Sequence, residues 1–227
     1  KENIVKMFVH LKTKTIYSLL EGAIFSKALA DQCCKFKMPA VGIADRANLF
    51  GALEFSEVLS DKGIQPIIGC QLPMSLKEAN LKKLKATDRL SMLFLATNEL
   101  GYRNLMELSS KFFLNDTYRF EGMSIREIDK FSDGLICLSG GDESPINNLL
   151  RDNKIKEAEN FLLHFKRTFG DRFYLEMNRH PLADNYSKKV NIEDNILGLA
   201  DKQKLPLVAT NDVYFLEKEL HQPHDAL

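Results

Sequence analysis

Short β-rich apolar runs alternate with longer amphipathic segments along most of this chain. Ser124 and Glu127 have the spacing of a capping box at the start of one such segment, and Gly134 follows its end. Strands separated by helices need crossover connections, which favour parallel pairing with the helices packed outside. The pattern predicts an α/β fold, either an open doubly wound sheet or a closed barrel. Its seven strands are predicted near residues 7–11, 40–44, 66–70, 91–96, 135–139, 173–177 and 207–210.

The segment after the first predicted strand bears on the choice between these two architectures. Residues 12–18 contain no glycine. A dinucleotide-binding fold places its glycine-rich phosphate loop at this point. The missing loop favours the barrel, although periodicity alone leaves both architectures open.

Composition indicates a globular protein with balanced charge. The 227 residues are 44% hydrophobic, and Lys plus Arg equals Asp plus Glu at 31 each, so no net positive field attracts nucleic acid or a membrane. No apolar run in the sequence reaches the roughly 18 residues of a membrane helix, and the first residues lack a signal-peptide pattern. We therefore expect a cytoplasmic protein with no membrane partner. The four cysteines lack zinc-ligand spacing and are interpreted as core thiols: Cys33, Cys34, Cys70 and Cys137.

Polar residues follow the predicted strands. In both architectures, ligands bind beyond the carboxyl ends of the strands, so these residues are expected to converge on one rim. In strand order they are Lys12 and Lys14, Asp45 and Arg46, Gln71, Thr97 and Asn98, Gly140 and Gly141, Glu176 and His180, and Asn211, Asp212 and Tyr214.

Several segments around these residues resemble a known family, the PHP (polymerase and histidinol phosphatase) domain of the catalytic α subunit of bacterial DNA polymerase III. The resemblance implies a distorted seven-stranded (β/α) barrel of the TIM-like type. It also implies that residues 1–227 form a single domain of a much longer polymerase subunit. The matching segments are residues 17–22, 42–45, 48–51, 63–70, 101–105, 134–140 and 209–213.

Active members of this family bind metal ions for phosphoester hydrolysis through histidines and carboxylates on the rim. The resemblance places Lys12 and Lys14 at two histidine positions, where two cations would repel a divalent metal. Arg46 stands at another histidine position, and Gln71 stands at a glutamate position. The remaining departures are Gly141 for a cysteine, and Ser91 and Tyr214 for histidines.

These departures predict a vestigial site with no catalytic residue and no bound metal or other cofactor. The three cations Lys12, Lys14 and Arg46 are expected to form ion pairs with Glu21, Asp45 and Asp212 in place of metal. Asp142 and Glu143 are interpreted as ordinary turn acids. If the rim holds an ion, the resemblance points to Glu21, at a position usually Asp, with Asp45, His180 and Asp212.

The resemblance implies a structural and interaction module that docks the separate proofreading exonuclease subunit and supports the remaining polymerase domains. DNA would be a partner through the parent holoenzyme, and magnesium would serve the polymerase domains of that parent. The resemblance implies that these residues are not an enzyme by themselves and that the parent chain is a DNA-directed DNA polymerase. One alternative is a metal-dependent phosphoesterase or 3′–5′ exonuclease with a reduced metal site. The other is a stand-alone sugar-phosphate or amino-acid-phosphate phosphatase.

Overall fold

A curled sheet with helices packed on it forms a half-barrel, which confirms the α/β class. The computed structural model describes residues 8–76, 90–178 and 186–224. Six strands of the described chain lie side by side in chain order. They are β1 (Ala40–Arg46), β2 (Gln65–Pro73), β3 (Ser91–Ala96), β4 (Leu135–Leu138), β5 (Phe173–Met177) and β6 (Leu207–Ala209).

Helices connect most of these strands, and side-chain caps fix where several of them begin. The Asn98 side chain accepts from the backbone N–H of Gly101, and Ser124 accepts from that of Glu127, which confirms the first half of the predicted capping box. None of the helices among the described residues has the length and apolarity to cross a membrane. The helices are α1 (Ser26–Lys35), α2 (Ala52–Asp61), α3 (Glu99–Leu114), α4 (Asp116–Glu121), α5 (Ile125–Lys130), α6 (Pro145–Arg151), α7 (Ile155–Phe169), α8 (Tyr186–Gln203) and α9 (His221–His224).

Alternating side chains along β3 divide the core between the two faces of the sheet. Met92 and Phe94 belong to the large cluster that includes the apolar faces of α3 and α7. Leu93 and Leu95 point to the opposite face, where they form a smaller cluster with Ala44 and Leu138. This division follows from the two-residue period of a strand. The apolar run that predicted the strand therefore fills both faces.

The first predicted strand, residues 7–11, is not a strand of the sheet in the described structure, and residue 7 lies outside the described residues. The chain instead makes isolated bridges slightly later, where Thr13 bridges both Ile43 of β1 and Val213. The backbone N–H of Lys14 donates to the Val213 carbonyl at 2.8 Å, and that of Ala44 donates to the Thr13 carbonyl at 2.9 Å. The segment is thus shared between two neighbours, and each pairing is too short to form a ladder.

The direction of β3 contradicts the expectation of parallel pairing throughout. β3 is antiparallel to both β2 and β4, while the pairs β1–β2, β4–β5 and β5–β6 are parallel. Its carboxyl end therefore lies at the opposite end of the sheet from those of its neighbours. Thr97 and Asn98, expected at the rim, lie at that opposite end, and Asn98 caps α3 there. Ser91, at the amino end of β3, lies at the rim instead.

The interpretation of all four cysteines as core thiols is wrong for one of them. Cys33, Cys70 and Cys137 are buried free thiols, but Cys34 is exposed. Adjacent helical residues are turned by about 100° from each other, and Cys34 lies outside the buried face of α1 that includes Cys33. Burial raises the pKa of Cys33 to about 11 and that of Cys70 to about 12.

Gly101 provides a test of the packing between α3 and the loop before β4. A Cβ at this position would lie 1.9 Å from the carbonyl oxygen of Gly134. We expect Gly101→Ala to lower the free energy of unfolding by about 2 kcal/mol or more, because backbone would have to move. The control is Gly198→Ala in α8, where a Cβ meets nothing within 4 Å. Urea unfolding measures both, and equal midpoints for the two variants would contradict this packing.

Candidate functional site

Buried polar side chains meet at one end of the sheet, which we call the rim. The rim comprises the carboxyl ends of β1, β2 and β5, the amino end of β3, the 3₁₀ turn Gly141–Glu143 after β4, residues 12–15, the loop of residues 18–22, and Asp212 after β6. Buried polar groups require hydrogen-bond or charge partners. The rim residues with an exposed fraction of 1% or less include Lys12, Lys14, Asp45, Gln71, Ser91 and Glu176.

Lys12 lies at the centre of one group of contacts. Its Nζ lies 3.1 Å from Glu176 Oε1 and 2.9 Å from Asp212 Oδ1. The carbonyl oxygen of Gly140 lies 3.4 Å from Lys12 Nζ, and the backbone N–H of Gly140 donates to Glu176 Oε2. Burial opposes the charged form, but the attraction of Glu176 and Asp212 outweighs it and raises the pKa of Lys12. Lys12 is therefore a charged lysine paired with two carboxylates.

Arg46 forms the second group of contacts. Its Nε lies 2.6 Å from Glu21 Oε1, and its Nη2 lies 2.9 Å and 3.0 Å from the two oxygens of Glu143. Burial opposes ionisation of Glu143, but Arg46 outweighs it and lowers the pKa of that carboxyl. The guanidinium thus joins the loop that carries Glu21 to the turn that carries Glu143. We call this pair of contacts the Arg46 clamp.

The interpretation of Glu143 as an ordinary turn acid is wrong. Its Oε2 also accepts from Gln71 Nε2 at 2.9 Å and from Ser91 Oγ at 2.6 Å. Gln71 Nε2 additionally donates to Ser91 Oγ at 2.6 Å. Glu143 therefore links three strand ends. The sequence signal that could have placed it at the rim is its position just beyond the end of a predicted strand.

Asp45 does not form the expected ion pair. It is 0% exposed, and its carboxylate accepts from the Thr15 N–H at 2.7 Å, from Thr15 Oγ1 at 2.6 Å and from Ser18 Oγ at 2.6 Å. No cation of the described ranges lies within ion-pair distance of it. Neutral donors satisfy this carboxylate, and they fix residues 15–18 against β1.

Lys14 also departs from the expected network. It is 0% exposed, and in the part of the chain that the structure describes its Nζ has no hydrogen-bond partner. Burial, followed by repulsion from Arg46, lowers the pKa of Lys14 to about 8. Of the three expected cations, Lys12 and Arg46 form ion pairs with Asp212 and Glu21 as predicted. Lys14 does not.

The other predicted rim residues take supporting positions. Gly141 has a φ of +60°, and a Cβ there would lie 3.0 Å from Glu176 Oε1. Burial, with the charge of Asp212 next, raises the pKa of Tyr214, whose ring centroid lies 5.7 Å from that of His224. His180 lies outside the described residues.

The described side chains do not fit a divalent metal ion. No group of three or more His, Cys, Asp or Glu residues within ranges 8–76, 90–178 and 186–224 could hold one. The Lys12 ammonium binds both Glu176 and Asp212, and the Arg46 guanidinium binds both Glu21 and Glu143. These carboxylates bind side-chain cations through the oxygens that a metal would use.

Comparison with known proteins agrees with the sequence motifs. DNA polymerase III subunit alpha of Caulobacter vibrioides is 43% identical over 221 residues, which are 97% of this chain and 19% of that protein. The same subunit of Rickettsia bellii is 36% identical over 97% of this chain and 18% of its own length. This chain therefore spans about a fifth of the length of these relatives.

Solved structures share the fold at low sequence identity. A protein of Bifidobacterium adolescentis described as a metal-dependent phosphoesterase matches 92% of this chain and 88% of its own, at 12% identity and a TM-score of 0.54. An amidohydrolase of Chromobacterium violaceum matches 96% of both chains, at 10% identity and a TM-score of 0.54. Residues 10–180 match the PHP domain. Because this match covers more than half of the sequence, the chain belongs to the PHP domain family.

Proposed function

We propose that this chain is a catalytically inactive PHP domain of a DNA polymerase III α subunit, with a structural and interaction role. The main support is the pairing of Lys12 with Glu176 and Asp212 at 3.1 Å and 2.9 Å. A lysine ammonium cannot bind metal, and here it engages the carboxylates that would be available for one. Similarity to α subunits over 97% of the chain supports the assignment to a replicative polymerase.

The proposed architecture is a single domain with a seven-stranded barrel of the PHP type. Residues 12–15 would take the seventh position, between β1 and the chain after β6. The bridges of Thr13 to both Ile43 and Val213 support this placement. The ion pair between Lys12 and Glu176 would also hold this segment against β5.

The proposed partners are the proofreading exonuclease subunit and the remaining polymerase domains. A subunit that delegates phosphodiester hydrolysis to another chain can keep the PHP barrel as a scaffold without its metal ions. DNA and magnesium would be bound elsewhere in the polymerase assembly, in the cytoplasm. The similarity of this chain to DNA polymerase III α subunits supports these partners.

The alternative is a metal-dependent phosphoesterase or 3′–5′ exonuclease with a reduced site. The shared fold of the Bifidobacterium adolescentis protein favours it. The buried ammonium of Lys12 and the unpaired Lys14 argue against it, because both oppose the approach of a divalent cation. His180 belongs to the ligand set that the alternative would require.

Metal content and hydrolysis separate these two functions. We expect the purified chain to hold less than stoichiometric metal after incubation with zinc or manganese, and to leave a phosphoester and a short DNA strand uncleaved. Elemental analysis and gel assays measure the two quantities. Stoichiometric metal together with hydrolysis that His180→Ala abolishes would establish the phosphoesterase instead.

The rim ion pairs are expected to stabilise the fold. Glu176→Ala should lower the free energy of unfolding by about 3 kcal/mol, because it leaves Lys12 buried with one carboxylate fewer. Asp212→Ala should also lower it, and Lys12→Met combined with Glu176→Ala should recover part of the loss. Chemical unfolding measures each variant. The matched control is Glu99→Ala, which breaks an exposed pair with Arg103 and should change little. An unchanged midpoint for Glu176→Ala and Asp212→Ala would refute the stabilising role.

Docking is tested with the purified proofreading exonuclease subunit of the same organism. We expect a complex at micromolar concentrations in analytical ultracentrifugation. Because docking would use the folded surface and not the rim chemistry, Asp45→Asn should bind equally well if it stays folded. An unrelated exonuclease is the control. Failure of the cognate subunit to bind would remove the docking role, whatever the metal measurements show.

A further inference from the structure

Lys14 differs from the other rim cations because the surrounding carboxylates are already engaged. Its ammonium group is fully buried, and its Nζ makes no hydrogen bond in the described structure. A buried charge without hydrogen bonds is costly, so burial lowers the pKa of this amine relative to that of an exposed lysine. The four rim carboxylates that form ion pairs are bound by Lys12 or Arg46: Glu21, Glu143, Glu176 and Asp212.

The charged groups that face Lys14 come from each surrounding part of the rim. Burial and Arg46 at the end of β1 disfavour the protonated amine, and so does Lys12 on its own segment, whereas two carboxylates oppose them. The Cys70 thiol of β2 is also near enough to sense the charge of Lys14. The two opposing carboxylates are Glu21 and Glu143, both held in the Arg46 clamp.

We propose that Lys14 is a proton-sensitive switch for the Arg46 clamp. Protonation places a second positive charge beside the guanidinium, competes for Glu21 and Glu143, and loosens both contacts. Loss of the proton leaves Arg46 as the cation that binds both carboxylates, and the clamp tightens. This inference rests on the rim geometry and does not require the proposed docking role.

The switch would act on more than two side chains. The clamp joins the loop of residues 18–22 to the 3₁₀ turn Gly141–Glu143. The carbonyl of Glu21 contacts His224 Nε2 in α9 at 2.6 Å. A change at Lys14 would therefore reach the loop, the turn and the last described helix.

The sign of the pH effect follows from the lowered pKa. Lys14 has a pKa of about 8 in the folded chain, compared with 10.5 for a free lysine. Between these values the unfolded chain binds a proton that the folded chain does not, so stability rises with pH. Below about 8 both states are protonated, and the cost of the buried charge is fully present. Above 10.5 both states are neutral, and that cost is absent.

Lysine NMR observes the titration directly. In the wild-type chain labelled at lysine Cε, we expect one resonance, absent from Lys14→Met, to titrate near pH 8. Lys12 should stay protonated beyond pH 10.5 because its pKa is raised. The backbone amides of Gly22 and Glu143 should shift with the Lys14 midpoint in wild type and not in Lys14→Met. A Lys14 resonance that titrates above pH 10, or amides that do not follow it, would overturn the switch.

Unfolding against pH gives an independent readout. Relative to Lys14→Met, the unfolding constant of the wild-type chain should fall by about tenfold for each pH unit between 8 and 10, because one proton separates the two states. Comparing the two chains cancels the titration of exposed tyrosines and lysines. Lys204→Met is the control, since it removes an exposed lysine far from the rim and should keep the pH dependence due to Lys14. Equal pH dependence in wild type and Lys14→Met would overturn the proposal.

Discussion

One buried ammonium group joins the segment of residues 12–15 to three other parts of the chain. Lys12 comes from a segment that pairs with β1 and with Val213 only through isolated bridges. Its Nζ contacts Glu176 on β5, Asp212 after β6 and the carbonyl of Gly140 after β4. These contacts fix the segment where no ladder of hydrogen bonds does. The position of this segment beside the curled sheet therefore depends on ion pairs at the rim as well as on backbone hydrogen bonds.

The Arg46 guanidinium applies the same principle on the other side of the rim. Its planar fork can bind one carboxylate through Nε and another through Nη2, which a lysine cannot do with comparable geometry. Ser91 and Gln71 complete the contacts of Glu143. Glu21 and Glu143 thus lie close together, and the cation between them is the side chain of Arg46. A rim built this way loses stability if one member is removed, because its partner is left buried and unpaired.

Sequence reasoning predicted most of the sheet and part of the rim. Apolar runs located six strands because a strand's period is readable from a single segment, and the order of motifs predicted the family that the comparisons show. The direction of β3 was not readable, since apolar alternation is the same in both directions. The strand pattern therefore did not place Ser91 at the rim, although the resemblance did, and Glu143 was misassigned as an ordinary turn acid. An ion pair was predicted for Asp45 because three cations lie nearby in the rim motifs. In the structure, neutral donors on Thr15 and Ser18 satisfy its carboxylate instead.

The three rim cations cannot all be explained by fold stability. Lys12 and Arg46 each bind two carboxylates, so their charge offsets that of their partners. The charge of Lys14 has no such partner within the described rim, and burial makes its protonated form unfavourable. An apolar side chain of similar volume would fill the same space without this cost. The charge of Lys14 therefore works against the folded state, which is the property that a proton-sensitive element requires.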